Sequence, residues 1–193
     1  KQGTITDAAG NVMSNFDIPD GQNLANSSHI VIETTRPTIQ NINSSATDQT
    51  YGVGDEIPIT VTFTEAVTLS GASASLTIPL ETGDTDVNVS ISTITNSQTA
   101  TGTYTVLEGH TTSGSDLTVK TDPGLSLTGT IADGASNENN DLAIPAGQNL
   151  ADSKNIKVDG TYPTIQTSST SKGDDTYKIG DVIPITLAFS EDL

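Results

Sequence analysis

The stretch Pro58-Ile59-Thr60-Val61-Thr62-Phe63-Thr64-Glu65 alternates between apolar and hydroxyl side chains along most of its length. Its three central apolar side chains fall on one face and its three threonines on the other, because successive residues of a strand point to opposite sides. All six are β-branched or aromatic, which favours a pleated and half-buried strand. The stretch therefore predicts a β-strand with one face in a core and the other in water.

Similar alternation continues along the chain in short segments. Residues 86–94 and 101–107 alternate clearly, and residues 117–119, 125–127 and 156–158 continue the pattern over shorter lengths. Glycine-containing turns separate these segments, and no run shows sustained helical periodicity. Short, one-sided strands with frequent turns predict an all-β chain of Ig-like antiparallel β-sandwich modules, with about seven to nine strands in each.

The chain also repeats itself. Gly3-Thr4-Ile5 returns as Gly129-Thr130-Ile131, and Pro37-Thr38-Ile39-Gln40 returns as Pro163-Thr164-Ile165-Gln166. The offset is 126 residues in both cases (129 − 3 and 163 − 37), and residues 1–67 share 32 identical pairs with residues 127–193 without a gap. A period this far beyond the ~20–50 residues of solenoid repeats predicts a tandem array of whole domains, end to end.

The duplication sets the expected domain boundaries. Residues 1–35 correspond to the C-terminal part of a repeat, residues 36–159 to a complete repeat, and residues 160–193 to the N-terminal part of the next. We expect the chain to be a window on a longer polypeptide. Both joints, residues 33–37 and 159–163, end in proline, which either stiffens the joint or only begins the first strand of the repeat.

Acidic residues dominate the charge of the chain. There are 24 acidic and 7 basic side chains, for a formal net charge of −17. This balance argues against nucleic acid and anionic membrane as partners, since both repel a negative surface. The acidity serves either solubility or the binding of a cation. Because the chain has no cysteine, it has no disulfide framework and no thiolate metal site.

Three signatures resemble the tandem bacterial Ig-like (cadherin-like) repeats of large surface and secreted proteins such as giant adhesins. Residues 51–67, which read Tyr-Gly-Val-Gly-Asp-Glu-Ile-Pro-Ile-Thr-Val-Thr-Phe-Thr-Glu-Ala-Val, resemble the opening of such a repeat. Residues 104–110 resemble a middle strand, and Asp7-Ala8-Ala9-Gly10-Asn11 resembles a turn near the end. The resemblance implies a cell-adhesion stalk of β-sandwich links, often stabilised by calcium. The second copy of the turn departs from the pattern, with Ser136 in the place of Gly10.

Oxygen-donating side chains recur where the ends of such modules would meet. In an Ig-like module, the loop after the second strand, the loop before the last strand and the entering joint lie at one end. Ca²⁺ binds about six to eight hard oxygen donors, which carboxylates and amide carbonyls supply. We therefore expect one site to contain Glu33, Glu65, Asp133 and Asn137, the next site to contain Asp159 and Glu191, and the corresponding turn of the preceding module to contain Asp7 and Asn11.

A simpler interpretation of these residues also stands. Asp133 and Asn137 would then only cap their own turn through bonds to the backbone. Asp55 and Asp181 fall in the turn before the second strand, so we place them at the opposite end of the module and outside the calcium sites.

No constellation of residues predicts catalysis. His29 and His110 are far apart in sequence, and we expect His110 to be a solvated loop residue. There is no strained nucleophile turn of the Gly-x-Ser-x-Gly type, and the lack of tryptophan argues against a sugar-binding cleft. We expect no enzyme activity.

Two functions from different classes follow. In the first, the chain is an extracellular spacer at the cell surface or in a secreted protein, whose partners are the neighbouring repeats and whose junctions hold calcium. In the second, copies of the chain assemble into a filament, sheath or surface layer. The C-terminal piece of one copy would then complete the N-terminal piece of another by strand complementation.

Overall fold

Strands make up nearly all of the regular structure in residues 3–193, which the computed structural model describes. These residues belong to two units, the first ending at Thr34 and the second running from Thr35 to Leu193. In the first unit, α1 (Leu24–Ser27) is one helical turn, and an antiparallel bridge joins Thr6 to Val12. Every described residue of the first unit is exposed.

The second unit contains nine strands and one helical turn. In chain order they are β1 (Ile39–Asn43), β2 (Thr50–Tyr51), β3 (Glu56–Leu80), β4 (Val87–Ile91), β5 (Ser97–Thr105), β6 (Ser126–Ala132), α2 (Leu150–Ser153), β7 (Lys157–Val158), β8 (Ile165–Ser169) and β9 (Thr186–Phe189). All strand pairs are antiparallel except β2 with β7. The predicted all-β class is thus confirmed.

The long strand β3 takes part in two successive sets of strand pairs. Its first part pairs with β1 and β5, so that Thr60 lies between Asn43 and Thr101. Its last part pairs with β4 and β6, so that Leu76 lies between Ile91 and Leu127. The register shifts between Thr62 and Val67 on the β5 side and between Ser70 and Ser75 on the β6 side.

The alternation in residues 58–65 produces the predicted two faces. Ile59, Val61 and Phe63 are fully buried, while Thr60 and Thr62 are only half-buried and Thr64 is exposed. Burying one large aliphatic or aromatic side chain stabilises a fold by roughly 1.5–3 kcal/mol. The remaining core comes from the rest of β3, from other strands, from α2 and from a connecting segment. Its largest fully buried members include Tyr104, Ile39, Ile42, Ile57, Leu76, Ile78, Leu80, Leu117, Ile131 and Leu150.

The hairpin β8–β9 repeats the pairing of β1 with β3 at the offset of 126 residues. Ile39 pairs with Phe63, and Ile165 pairs with Phe189, with a register irregularity at the same place. The environments differ, because Ile39 is 2% exposed and Ile165 is 60% exposed. The local fold of the repeat therefore forms again, while its apolar face is left open to water.

Several elements differ from their predicted form. β3 extends over 25 residues and runs well past Glu65, because the β6 pairing begins where the β5 pairing ends and the β4 pairing continues from Leu76 to Leu80. Residues 117–119 form only one ladder bridge, from Val119 to Leu80. Val119 instead bonds to the amide of Asn149, which accepts from its N–H at 3.0 Å and donates to its carbonyl at 2.8 Å.

The prediction that His110 is a solvated loop residue is wrong. Its side chain is only 5% exposed, and its ring stacks on that of Tyr104 with the centroids 5.7 Å apart. His110 Nδ1 accepts the backbone N–H of Leu107 at 3.2 Å and lies 3.0 Å from the Tyr104 hydroxyl. The loop is polar in sequence, but it folds its imidazole inward against a core tyrosine.

Candidate metal centre

Glu65 lies in the irregular part of β3, between the two register positions Thr62 and Val67. The residue before it is held to the start of the second unit by two hydrogen bonds. The Thr64 N–H donates to the Thr38 carbonyl at 2.9 Å, and the Thr38 N–H donates to the Thr64 hydroxyl at 3.0 Å. The segment that enters the second unit therefore lies beside the carboxylate-bearing end of this part of β3.

Asp133 and Asn137 build a closed turn directly after β6. Asp133 Oδ1 accepts the backbone N–H groups of Ala135 and Asn137, both at 2.8 Å, and Oδ2 accepts the Asn137 side-chain amide at 2.8 Å. The turn-capping role weighed for these residues is thus present. The side-chain carbonyl oxygen of Asn137 is an acceptor of the kind that hard cations bind.

The second unit brings Glu65 and Asp133 together. A carboxylate oxygen of one lies within 4.8 Å of a carboxylate oxygen of the other. The reason is the register of β3 with β6: Thr68, three residues after Glu65, pairs with Ala132, the residue before Asp133. Two negative charges at this separation repel by roughly 1–3 kcal/mol at effective dielectric constants of 20–80. Hard divalent cations bind such oxygen pairs.

The entering segment also reaches the turn after β6. Arg36 Nη1 donates to the Glu138 carbonyl at 3.0 Å, and Glu138 bridges back to Ala132. Arg36 is not among the site residues predicted from the sequence. Two features of the sequence could have pointed to Arg36. It stands next to the proline of a joint, and basic residues are rare in this chain, which has only seven.

The turn of residues 7–11 has the same geometry as its copy in residues 133–137. Asp7 Oδ1 accepts the N–H groups of Ala9 and Asn11, and Oδ2 accepts the Asn11 amide, all at 2.9 Å. The Asn11 side-chain bond is the main reason why the pKa of Asp7 lies below its ordinary value. Gly10 has φ +87°, and Ser136 adopts φ +70° at the same place, so the departure from glycine leaves the turn unchanged.

The remaining predicted ligands lie in other segments of the chain. Asp159 Oδ1 accepts the Thr161 N–H at 3.0 Å and so caps its own joint. Glu191 follows β9, and its Oε1 is buried without a hydrogen-bond partner among the described residues. Glu33 closes the first unit, two residues before Thr35.

A second charged group lies elsewhere in the module. Lys120 Nζ bonds to Asp86 and lies 3.4 Å from Glu81 Oε2. The bond to Asp86 is the main cause that raises the pKa of Lys120 and lowers the pKa of Asp86. Each group is stabilised in its charged form, so this cluster is a surface ion pair.

No protein-family model, curated protein or solved structure matches this chain. In the part of the chain that the structure describes, no helix is both long enough and apolar enough to cross a membrane.

Proposed function

We propose that this chain is a run of Ig-like β-sandwich modules that serves as an extender, or stalk, in a large extracellular repeat protein of the cell surface. The 126-residue duplication supports this proposal, as does the complete repeat, whose buried residues form their own core. In the sandwich that we propose, the β1–β3–β5 and β4–β3–β6 sets pack face to face. A module of this size can bury enough surface to fold alone.

We further propose that calcium stiffens the junctions. The observation that carries this proposal is the approach of Glu65 and Asp133 to within 4.8 Å, beside the segment that enters the second unit. Asn137 would add its side-chain carbonyl oxygen. Glu33, which lies just before the joint in the sequence, is the fourth residue that we propose as a ligand.

A cation shared by a joint and a module would act as a mechanical link. It would replace repulsion between carboxylates with bonds to one ion, and the joint would then lose its freedom to swing. Asp159 and Glu191 are the corresponding residues of the following junction, since 33 + 126 = 159 and 65 + 126 = 191. An extender built this way would hold a distant functional domain away from its anchor.

Thermal unfolding in millimolar Ca²⁺ and in EDTA tests the proposal. At about 100 times its dissociation constant, a ligand adds ~2.7 kcal/mol to the stability of the folded state. For a domain of this size the melting temperature should rise by about 5–10 °C. We expect Glu65→Gln and Asp133→Asn to remove most of this rise while keeping the shape of each side chain.

The matched control is Glu56→Gln, an identical change at an exposed position of the same strand, β3. It should keep the full calcium response. Each variant is compared with itself in EDTA, so that a change in basal stability does not enter the result. A wild-type melting temperature that Ca²⁺ does not raise, or raises no more than Mg²⁺ does, would remove the calcium junction.

The exposed apolar residues favour one alternative function, assembly of copies into a filament, sheath or surface layer. Several apolar side chains in residues 163–193 and 3–34 are exposed although their counterparts in the complete repeat are buried. Ile185 is 66% exposed where Ile59 is fully buried, and Leu24 is 61% exposed where Leu150 is fully buried. In the complete repeat, β2 and β7 pair, so residues 176–177 of one copy would pair with residues 31–32 of another.

A further inference from the structure

The residues that lead out of the complete repeat are held from both sides. The N–H of Lys157 donates to the Gln49 carbonyl at 3.0 Å, and the N–H of Asp159 donates to the Tyr51 carbonyl at 2.9 Å. On the other side, the N–H of Thr112 donates to the Val158 carbonyl at 3.0 Å. The segment is thus an interior strand and not a loose tail.

Gly160 ends this segment and is tied to the turn formed by residues 107–110. Its N–H donates to the His110 carbonyl at 2.7 Å, and its carbonyl accepts the Gly109 N–H at 3.0 Å. The turn itself is closed by the bond from the His110 N–H to the Leu107 carbonyl at 3.1 Å. The buried His110 ring, stacked on Tyr104, fixes this turn to the core.

Only glycine fits at position 160. A Cβ atom there would lie 2.3 Å from the Leu107 carbonyl oxygen and 2.7 Å from the His110 carbonyl oxygen. Both are backbone atoms of a turn that is bonded on several sides, so they have no flexible end to swing away. Any side chain would therefore break the two hydrogen bonds of Gly160.

The first joint differs at this position. Thr34 is the counterpart of Gly160, since 160 − 126 = 34. Threonine carries the Cβ atom that the arrangement excludes. Two joints of one array thus have different chemistry at the same place.

We propose that Gly160 is a latch that fixes the direction in which the chain leaves the complete repeat, and that it works without a bound cation. A joint with glycine at this position is held by the protein alone, whereas a joint with threonine cannot form this latch. The role of this latch in a tandem array rests on the proposed extender function. The latch itself does not depend on the calcium site.

Amide hydrogen exchange by NMR on the full chain in EDTA tests the latch. We expect the N–H groups of Gly160 and Gly109 to be protected, and Gly160→Ala to lower the protection of Gly109 by about tenfold or more. Gly173→Ala is the matched control, because a Cβ at Gly173 meets nothing within 4 Å. Amides in the β3–β5 pairs report whether each variant remains folded.

A second measurement covers the case in which Gly160→Ala does not fold. In the wild-type chain in EDTA, the order parameter of the Thr161 N–H should be near the ~0.85 of rigid backbone. A value below about 0.6, or a Gly160 N–H that exchanges freely, would overturn the latch whatever calcium does. Conversely, the Gly160 N–H could be protected in EDTA while Ca²⁺ leaves the stability of the chain unchanged. That result would support the latch and contradict the calcium junction.

Discussion

Tyr104 and His110 show how a polar pair is accommodated inside a module. The ring of Tyr104 is buried, and its hydroxyl lies 3.0 Å from His110 Nδ1. The backbone N–H of Leu107 also donates to Nδ1, so this nitrogen is an acceptor and the ring carries its proton on Nε2. Burial raises the pKa of Tyr104 to about 12.

The raised pKa of Tyr104 predicts that the folded chain loses stability at alkaline pH. The unfolded chain releases the phenolic proton near pH 10.0, whereas the folded chain keeps it until about pH 12. Deprotonation then favours the unfolded state, so the free energy of unfolding should fall as pH rises from 10 towards 12. Urea unfolding at several pH values in this window measures the slope.

Tyr104→Phe should flatten that slope, although losing the bond to His110 should also lower stability at every pH. Tyr162→Phe is the control, because Tyr162 is exposed in the second joint and should leave the slope unchanged. If the free energy of unfolding falls equally steeply with pH in wild type and in Tyr104→Phe, the loss of stability does not come from Tyr104.

At the scale of elements, the pairs β1–β3 and β8–β9 are two copies of one local structure in two environments. Tyr51 and Tyr177 each donate a hydroxyl to the backbone four residues earlier, and Asp55 and Asp181 each accept the backbone N–H three residues earlier. Local bonds therefore form in both copies. The apolar side chains are buried only in the copy whose long strand also pairs with β4, β5 and β6.

This contrast predicts unequal effects of one substitution. Ile59→Ala should destabilise the second unit by about 2–5 kcal/mol, because it leaves a cavity in a fully buried site. Ile185→Ala, at the corresponding position, should change stability by less than about 0.5 kcal/mol, because that side chain is 66% exposed. Guanidinium unfolding followed by circular dichroism provides both values. Similar losses from the two variants would mean that residues 160–193 bury their apolar face in solution.

At the scale of the whole chain, two properties act in opposite directions on association. The formal net charge of −17 keeps copies apart at low ionic strength. The exposed apolar side chains of residues 5–32 and 165–189 favour contact between copies, and they match surfaces that meet in the complete repeat. Salt screens the first effect and leaves the second in place.

The extender proposal predicts that the chain stays monomeric. Light scattering should give a mass of 19.9 kDa at all concentrations in moderate salt. A mass that grows with concentration, and that Ile185→Asp suppresses while Thr186→Asp does not, would favour the filament instead. Both variants add the same charge, but at position 185 it falls on the apolar face.

Strand character, the repeat and the acidity could be read from the amino acids alone, because each depends on neighbouring residues or on composition. The alternation of residues 58–65 predicted its buried face, and the Asp133–Asn137 turn follows from bonds within five residues. The order of strands in an Ig-like module led us to expect Glu65 and Asp133 in one site, but their actual approach and the burial of His110 required the folded chain. The first depends on the register of Thr68 with Ala132, and the second on the stacking of a loop imidazole on Tyr104. No local sequence pattern predicts such long-range contacts, because they depend on how all the strands pack together around one core.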